Sequence, residues 1–405
     1  MVLAAALPAD AQLAIERFLH RGRERLRAKV HEFLRWLRGP GRAASAAQQQ
    51  KRFVLVRLEF NAVLSQFDLF TEVVTQRSEA DTGVWLSGLD ALADDALRID
   101  VEGVVPARAV CYLARGAGAA IRRAHTRLPG GQPNPVAIIR IPRERMIGSG
   151  IASSLIHEVG HQGAAHLDLV TSLRADIRRA AAAEPGGQWL TWDRWISEIV
   201  ADLWSVGKLG LTSTTGLLAV VSLPKFFVFR DSEDDPHPTP YLRVLISSAL
   251  GEALYPHPQW EAMRTTWKQM YPIDALPPAH RSRIEHTEAA IGKLVNLLVH
   301  HRSSALKGRE LGEIWPLQER HPVHLSRLHR KWDNDVAVMA RQSPSLVFAV
   351  LGQAKATGAI SPETENLLLT RLLTVWAVRS SLDPARHSIC RGTKVMEISS
   401  ETQFE

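Results

Sequence analysis

Residues 150–166 read GIASSLIHEVGHQGAAH, and the string His157-Glu158-Val159-Gly160-His161 inside them decides how the rest of the chain is read. On an α-helix, side chains four apart lie on one face, so both imidazoles reach a single point. Zinc accepts nitrogen ligands, and two histidines at this spacing supply half of a tetrahedral shell. Glu158 is turned about 100° away on the helix, beside that point and not on it. From there its carboxylate takes a proton from an attacking water whose pKa a bound Zn²⁺ lowers to roughly 7. Small residues (Ser153, Ser154, Gly160, Ala164, Ala165) flank the histidines, and the turn Gly148-Ser149-Gly150 opens the helix. The plainer alternative is two solvent-facing histidines around a chance glutamate. A third ligand separates the two readings.

A catalytic zinc needs three protein ligands and one open position. His166 is one candidate, but the metzincin pattern HExxHxxGxxH requires Gly and His where this chain has Ala164 and Leu167. Glu198 is the better one, in Ser197-Glu198-Ile199-Val200-Ala201-Asp202, where Glu198 and Asp202 are again four apart on one helix. Trp192, Trp195, Ile199, Val200, Leu203 and Trp204 leave little of that helix for solvent. Downstream stands Asp235-Pro236-His237-Pro238-Thr239-Pro240-Tyr241-Leu242-Arg243.

In order and spacing, HEVGH, EIVAD and HPTPYLR resemble the gluzincin zinc metallopeptidases, and within them the HtpX-like and prenyl-protein-processing endopeptidases, over roughly residues 136–244. The resemblance implies that Glu198 is the third zinc ligand. It implies that Asp202 accepts a hydrogen bond from a ligand imidazole, His157 first, which fixes the tautomer. It also implies a side chain that stabilises the oxyanion of the tetrahedral intermediate: His237 first, Arg243 second, Tyr241 after them. The expected fold is mainly α with a small β element, a zincin-like (gluzincin) core between helical N- and C-terminal regions. The expected reaction is zinc-dependent peptide-bond hydrolysis, by an endopeptidase, on a peptide or protein substrate. A zinc-containing interaction protein without proteolysis, and a delivered effector or toxin on the same fold, are the alternatives.

Working outward, a basic amphipathic helix over Asp10–Leu37 ends at Gly39-Pro40-Gly41, and an Ala/Gln linker follows to Gln50. Residues 51–275 form the expected metallopeptidase domain, with its site-bearing core at 100–255. Residues 276–387 read as a helical C-terminal region and 388–405 as a flexible tail. Helices are predicted over Lys51–Gln76, Val84–Leu97 and Val110–His125. The helix of the histidines is expected to run through Ile151 to at least His166, with an extension past Leu173 to Ala183 left open, and the next to start from a Thr191 N-cap. Val136–Ile141, β-branched and bounded by Pro135 and Pro142, reads as an edge strand on which a substrate backbone pairs antiparallel.

The formal net charge is +7, and much of it lies in Arg21, Arg23, Arg25, Arg27, Lys29, Arg35, Arg38 and Arg42. Such a helix contacts anionic surfaces or simply presents a solvated basic face. No nucleic-acid motif accompanies it, so no specific nucleic acid is expected. Cys111 and Cys390 are too few and too far apart for a disulfide framework. No apolar run reaches eighteen residues, so no transmembrane helix is expected. With no signal peptide legible, the expected location is cytoplasmic, and export by a dedicated machine would leave no mark. His321, His324 and His329 stand among arginines and read as basic surface, and Trp315 as a core residue or a partner contact.

Overall fold

The computed structural model describes residues 2–101, 108–116, 118–128, 132–143, 148–185, 187–230, 232 and 235–382, so the expected tail at 388–405 lies outside the described residues. Helices α1 (Ala9–Arg38), α2 (Ala46–Gln76) and α3 (Ala80–Leu97) precede strands β1 (Ala109–Ala114), β2 (Ala120–Arg122) and β3 (Ala137–Pro142). Then come α4 (Gly150–His166), α5 (Leu169–Ala183), α6 (Trp189–Leu209), α7 (Leu211–Val221), α8 (Lys225–Val228) and α9 (Pro240–Leu254). The chain continues through α10 (Gln259–Met270), α11 (Pro278–Ala289), α12 (Ile291–Val299), α13 (Leu317–Arg320) and α14 (Pro322–Trp332). It finishes on α15 (Val336–Met339), α16 (Pro344–Ala356) and α17 (Pro362–Leu382). The protein is therefore mainly helical with one small sheet. Among the described residues, no helix is long and apolar enough to cross a membrane.

The sheet corrects two expectations. Residues 110–125 hold β1, a turn and β2 where a helix is predicted. The run Ala109–Leu113 is buried throughout, and a continuous apolar run looks the same from sequence in a buried helix or a buried strand. Its alternation appears only in the packing. Ala109, Cys111 and Leu113 join Ala137, Ile139 and Ile141 in the main core, while Val110 and Tyr112 join Val136 and Ile138 against Ile15, Phe18, Phe70 and Val73 of α1 and α2. The other correction concerns β3, which is central and not an edge. β1 pairs with it in parallel and β2 antiparallel, with Ile139 opposite both Cys111 and Ile121. Pro135 and Pro142 delimit the strand without freeing a side of it.

The far side of β1 is closed by side chains. Gln76 acts as a substitute strand, its amide donating to the Leu113 carbonyl at 2.7 Å and accepting from the Leu113 N–H at 2.7 Å. The Cys111 N–H donates to Asp90 at 2.7 Å, and Arg77 donates to the Cys111 carbonyl at 2.6 Å. Arg77 and Asp90 form a buried ion pair of 2.9 Å, so neither charge is left uncompensated. Among the described residues, no strand pairs with the outer side of β2.

The helix of the histidines reaches His166 as expected but does not extend to Ala183, because Asp168 adopts a left-handed conformation (φ 48°) and starts α5 in a new direction. α6 begins at Trp189 after Gln188, not at Thr191. Nor is there a linker to Gln50, since Ser45 and Gln48 form a capping box that starts α2 at Ala46. Trp315 is core, edge-on to Trp204 at 5.1 Å. The main apolar core is continuous from Leu86 to Trp376.

α4 and α6 approach closely because α4 carries glycine at the contact. A Cβ at Gly160 would stand 2.8 Å from the Trp204 Cβ and 2.9 Å from the Ala201 Cα, and one at Gly163 would enter the Trp204 ring. Ala201 lies on α6 between Glu198 and Asp202, so the spacing of these helices sets the spacing of the site. Gly160→Ala is expected to cost about 1–3 kcal/mol through overpacking and to weaken ion retention with it. Thermal unfolding and ion titration of the variant check this. Unchanged values would mean that the helices do not meet at Gly160.

Candidate metal centre

α4 presents His157 and His161 one turn apart, their ring centroids 4.9 Å apart and nearly perpendicular. α6 presents Glu198 to both. Its carboxylate oxygens lie 3.2 Å from His157 Nε2 and 3.5 Å from His161 Nε2. Donors about 2 Å from one tetrahedral ion stand about 3.3 Å from each other, so this carboxylate sits where a third ligand belongs. Among the described residues, these three form the one group of His, Cys, Asp or Glu whose donor atoms all lie within 4.8 Å of one another. Two imidazole nitrogens and a carboxylate oxygen, partly to fully buried, are compatible with a divalent metal ion. His166 is exposed at the end of α4 and outside the group.

Asp202, one turn beyond Glu198, accepts from His157 Nδ1–H at 2.8 Å, which leaves Nε2 facing the cluster. Arg243 on α9 grips Asp202 with two hydrogen bonds, from Nε at 2.7 Å and Nη2 at 2.8 Å. The same Nη2 is 3.3 and 3.4 Å from the two His157 ring nitrogens, so the guanidinium touches both partners of the Asp202–His157 pair. Pro240 at the first turn of α9, fixed in a helical φ, starts that helix where Arg243 faces inward. His237 comes from the preceding loop. Its Nε2 is 3.2 Å from Glu198, and its Nδ1 and main-chain N–H are 2.7 and 3.0 Å from one oxygen of Asp235. Arg230 pairs with Asp235 in turn.

The electrostatics follow from burial and pairing. Burial would raise the Glu198 carboxyl, but hydrogen bonds from His157, His161 and His237 outweigh it and hold the group far below the ordinary range. Asp202 is likewise opposed by burial and held low by Arg243 and His157. Burial would lower His157, yet Asp202 and Glu198 raise it to about 9. The hydrogen bond to Glu198 raises His237 too.

In the ion-free protein His157 is thus an imidazolium at neutral pH. The stability it contributes is complete below about pH 6.5 and is lost as pH rises through about 9. A ligating imidazole must be neutral, so metal loading at neutral pH is expected to release about one proton from this residue. Titration calorimetry in two buffers of different ionisation heat measures it. Zero release would mean that His157 is already neutral.

A cleft of about 200 Å³ opens over these groups. It is lined by His157, Glu158 and His237, by Gly118 and Ala119 just before β2, and by Leu217 and Val220 of α7. Glu158 is 9% exposed, and among the described residues nothing hydrogen-bonds its carboxylate. Tyr241 is not here. It is buried in the core, its ring beside Phe229 and its carbonyl accepting from the Trp267 indole N–H. Asp235 is the residue that sequence reasoning missed, although an aspartate two before a histidine and next to proline is a turn-forming signal.

Elsewhere, Ser172, His301 and Asp176 form a relay of 3.0 and 2.7 Å. The Ser172 hydroxyl is tied to the Asp168 and Leu169 carbonyls of its own helix, so the relay clasps α5 to the end of α12. Comparison with protein-family models, curated proteins and solved structures gives no match to this chain.

Proposed function

We propose that this chain is a zinc-dependent endopeptidase with a gluzincin-like core. The reading rests on one observation: the donor atoms of His157, His161 and Glu198 converge within 4.8 Å of one another, while Glu158 lines a cleft beside His157 with no hydrogen bond to its carboxylate among the described residues. A zinc ion held by those three residues would supply Lewis acidity, making water acidic and a carbonyl electrophilic.

The chain's own residues do the rest. Glu158 takes the proton of the attacking water and delivers it to the leaving amine. His237, held by Asp235 through Nδ1, points Nε2 at Glu198 in the ion-free protein, and with Glu198 engaged by an ion its Nε2–H would be released to stabilise negative charge developing on the carbonyl oxygen. Arg243 is a positioning residue, since its guanidinium is spent on Asp202 and His157. Substrate backbone pairs with the outer side of β2, whose leading turn borders the cleft, instead of with β3 as the sequence suggests.

The test is to load the full chain with Zn²⁺ and incubate it with a pool of unfolded proteins, reading new N-termini by mass spectrometry. Internal cleavages that vanish on chelation are expected. A chain that retains one ion and cuts nothing would be a metal-stabilised scaffold, and the reading would fail.

A further inference from the structure

α1 and α2 pack against the rest of the protein only near their base. From Arg23 to Ala62 the sole buried residue is Gly41, at the tip between them. The two helices therefore make an arm, α1 alone being about 45 Å long at 1.5 Å per residue. Its seam is thin: Arg25 bonds Glu59 at 2.7 Å, Phe33 meets Phe53 at 6.3 Å, and Arg52 covers Trp36 at 4.3 Å. Outside that seam the arm exposes large apolar side chains. Leu55 and Leu58 are 60% and 59% exposed, and Leu34, Phe60 and Leu64 are exposed with them. The structure leaves them in water.

Charge identifies what covers them. Between Arg21 and Phe60 eleven Lys and Arg stand against three Glu, a net of +8, whereas the whole chain carries +7. The arm holds the entire positive excess. Two copies meeting through the arm would bring two such charges together, which disfavours self-association. Nucleic-acid phosphates would use the arginines and leave the leucines and phenylalanines unburied. An anionic bilayer takes both: headgroups neutralise the cations, and the apolar side chains enter the boundary below them.

We propose that the α1–α2 arm docks this protein on an anionic phospholipid surface. The docking does not depend on the peptidase reading, because no arm residue contributes to the metal centre.

The test uses the full chain with vesicles of phosphatidylcholine alone or mixed with phosphatidylserine, separated by flotation. Binding is expected with phosphatidylserine only and should weaken with salt. Leu55→Asp with Leu58→Asp, and separately Arg27→Glu with Arg35→Glu, should each reduce partitioning about tenfold or more. All four side chains are exposed, and an unchanged unfolding temperature verifies that the variants fold. Equal binding to both vesicles, or none, overturns the proposal. So does tight binding to duplex DNA that the aspartates leave unchanged, which would make nucleic acid the occupant. A dimer split by the aspartates, with no vesicle binding, would make a second copy the occupant and overturn it as well.

Discussion

Replacing Glu158 with glutamine is expected to lower kcat/KM for peptide hydrolysis by about 10²–10⁴ while leaving one ion bound per chain. Glutamine keeps the shape and removes the basic oxygen. Among the described residues nothing competes for the Glu158 carboxylate, so no structural bond is lost with it. Glu158 is also outside the three-residue ligand group, which is why ion content should not follow activity. Loss of the ion together with activity would instead make Glu158 a ligand. Retained activity would assign the proton transfer to another group.

Arg243→Ala is expected to cost about 3–5 kcal/mol of stability, read by denaturant unfolding of the ion-free protein. The reason is the company the arginine keeps. It neutralises Asp202 with two hydrogen bonds, and both side chains are largely buried, so its removal strands a carboxylate in the interior with only His157 for compensation. Arg243→Lys should recover only part of the loss, because an ammonium cannot reproduce the paired Nε and Nη2 contacts. Asp202→Asn combined with Arg243→Ala should cost less than the two separate losses added, since the stranded charge is gone. Additive losses would show that the two residues act independently.

How much of this was legible beforehand depended on periodicity. Two pairs of residues four apart, His157/His161 and Glu198/Asp202, announce a common face because helix geometry alone puts them there. That Glu198 reaches both imidazoles is a tertiary fact, made possible by Gly160 and Gly163 at the contact with α6. The sheet was poorly legible because β1 is buried on both faces and its outer hydrogen bonds go to Gln76, Asp90 and Arg77, far from it in sequence. The break between α4 and α5 carries no glycine or proline, only Asp168 in a left-handed turn. The roles of His237 and Arg243 diverge for a similar reason. One motif contains both, yet Arg243 is clamped under the site and His237 stands at its mouth.

The decisive measurement is metal content and affinity by mass spectrometry and competitive chelation, for the native chain and for Glu198→Ala. One divalent ion per native chain is expected, with affinity falling at least about a hundredfold when the carboxylate is removed, beyond the 10–100-fold typical of residues that only support a ligand. The same stoichiometry and affinity in both proteins would take Glu198 out of the coordination shell, and with it the shared ion on which the proposed chemistry depends.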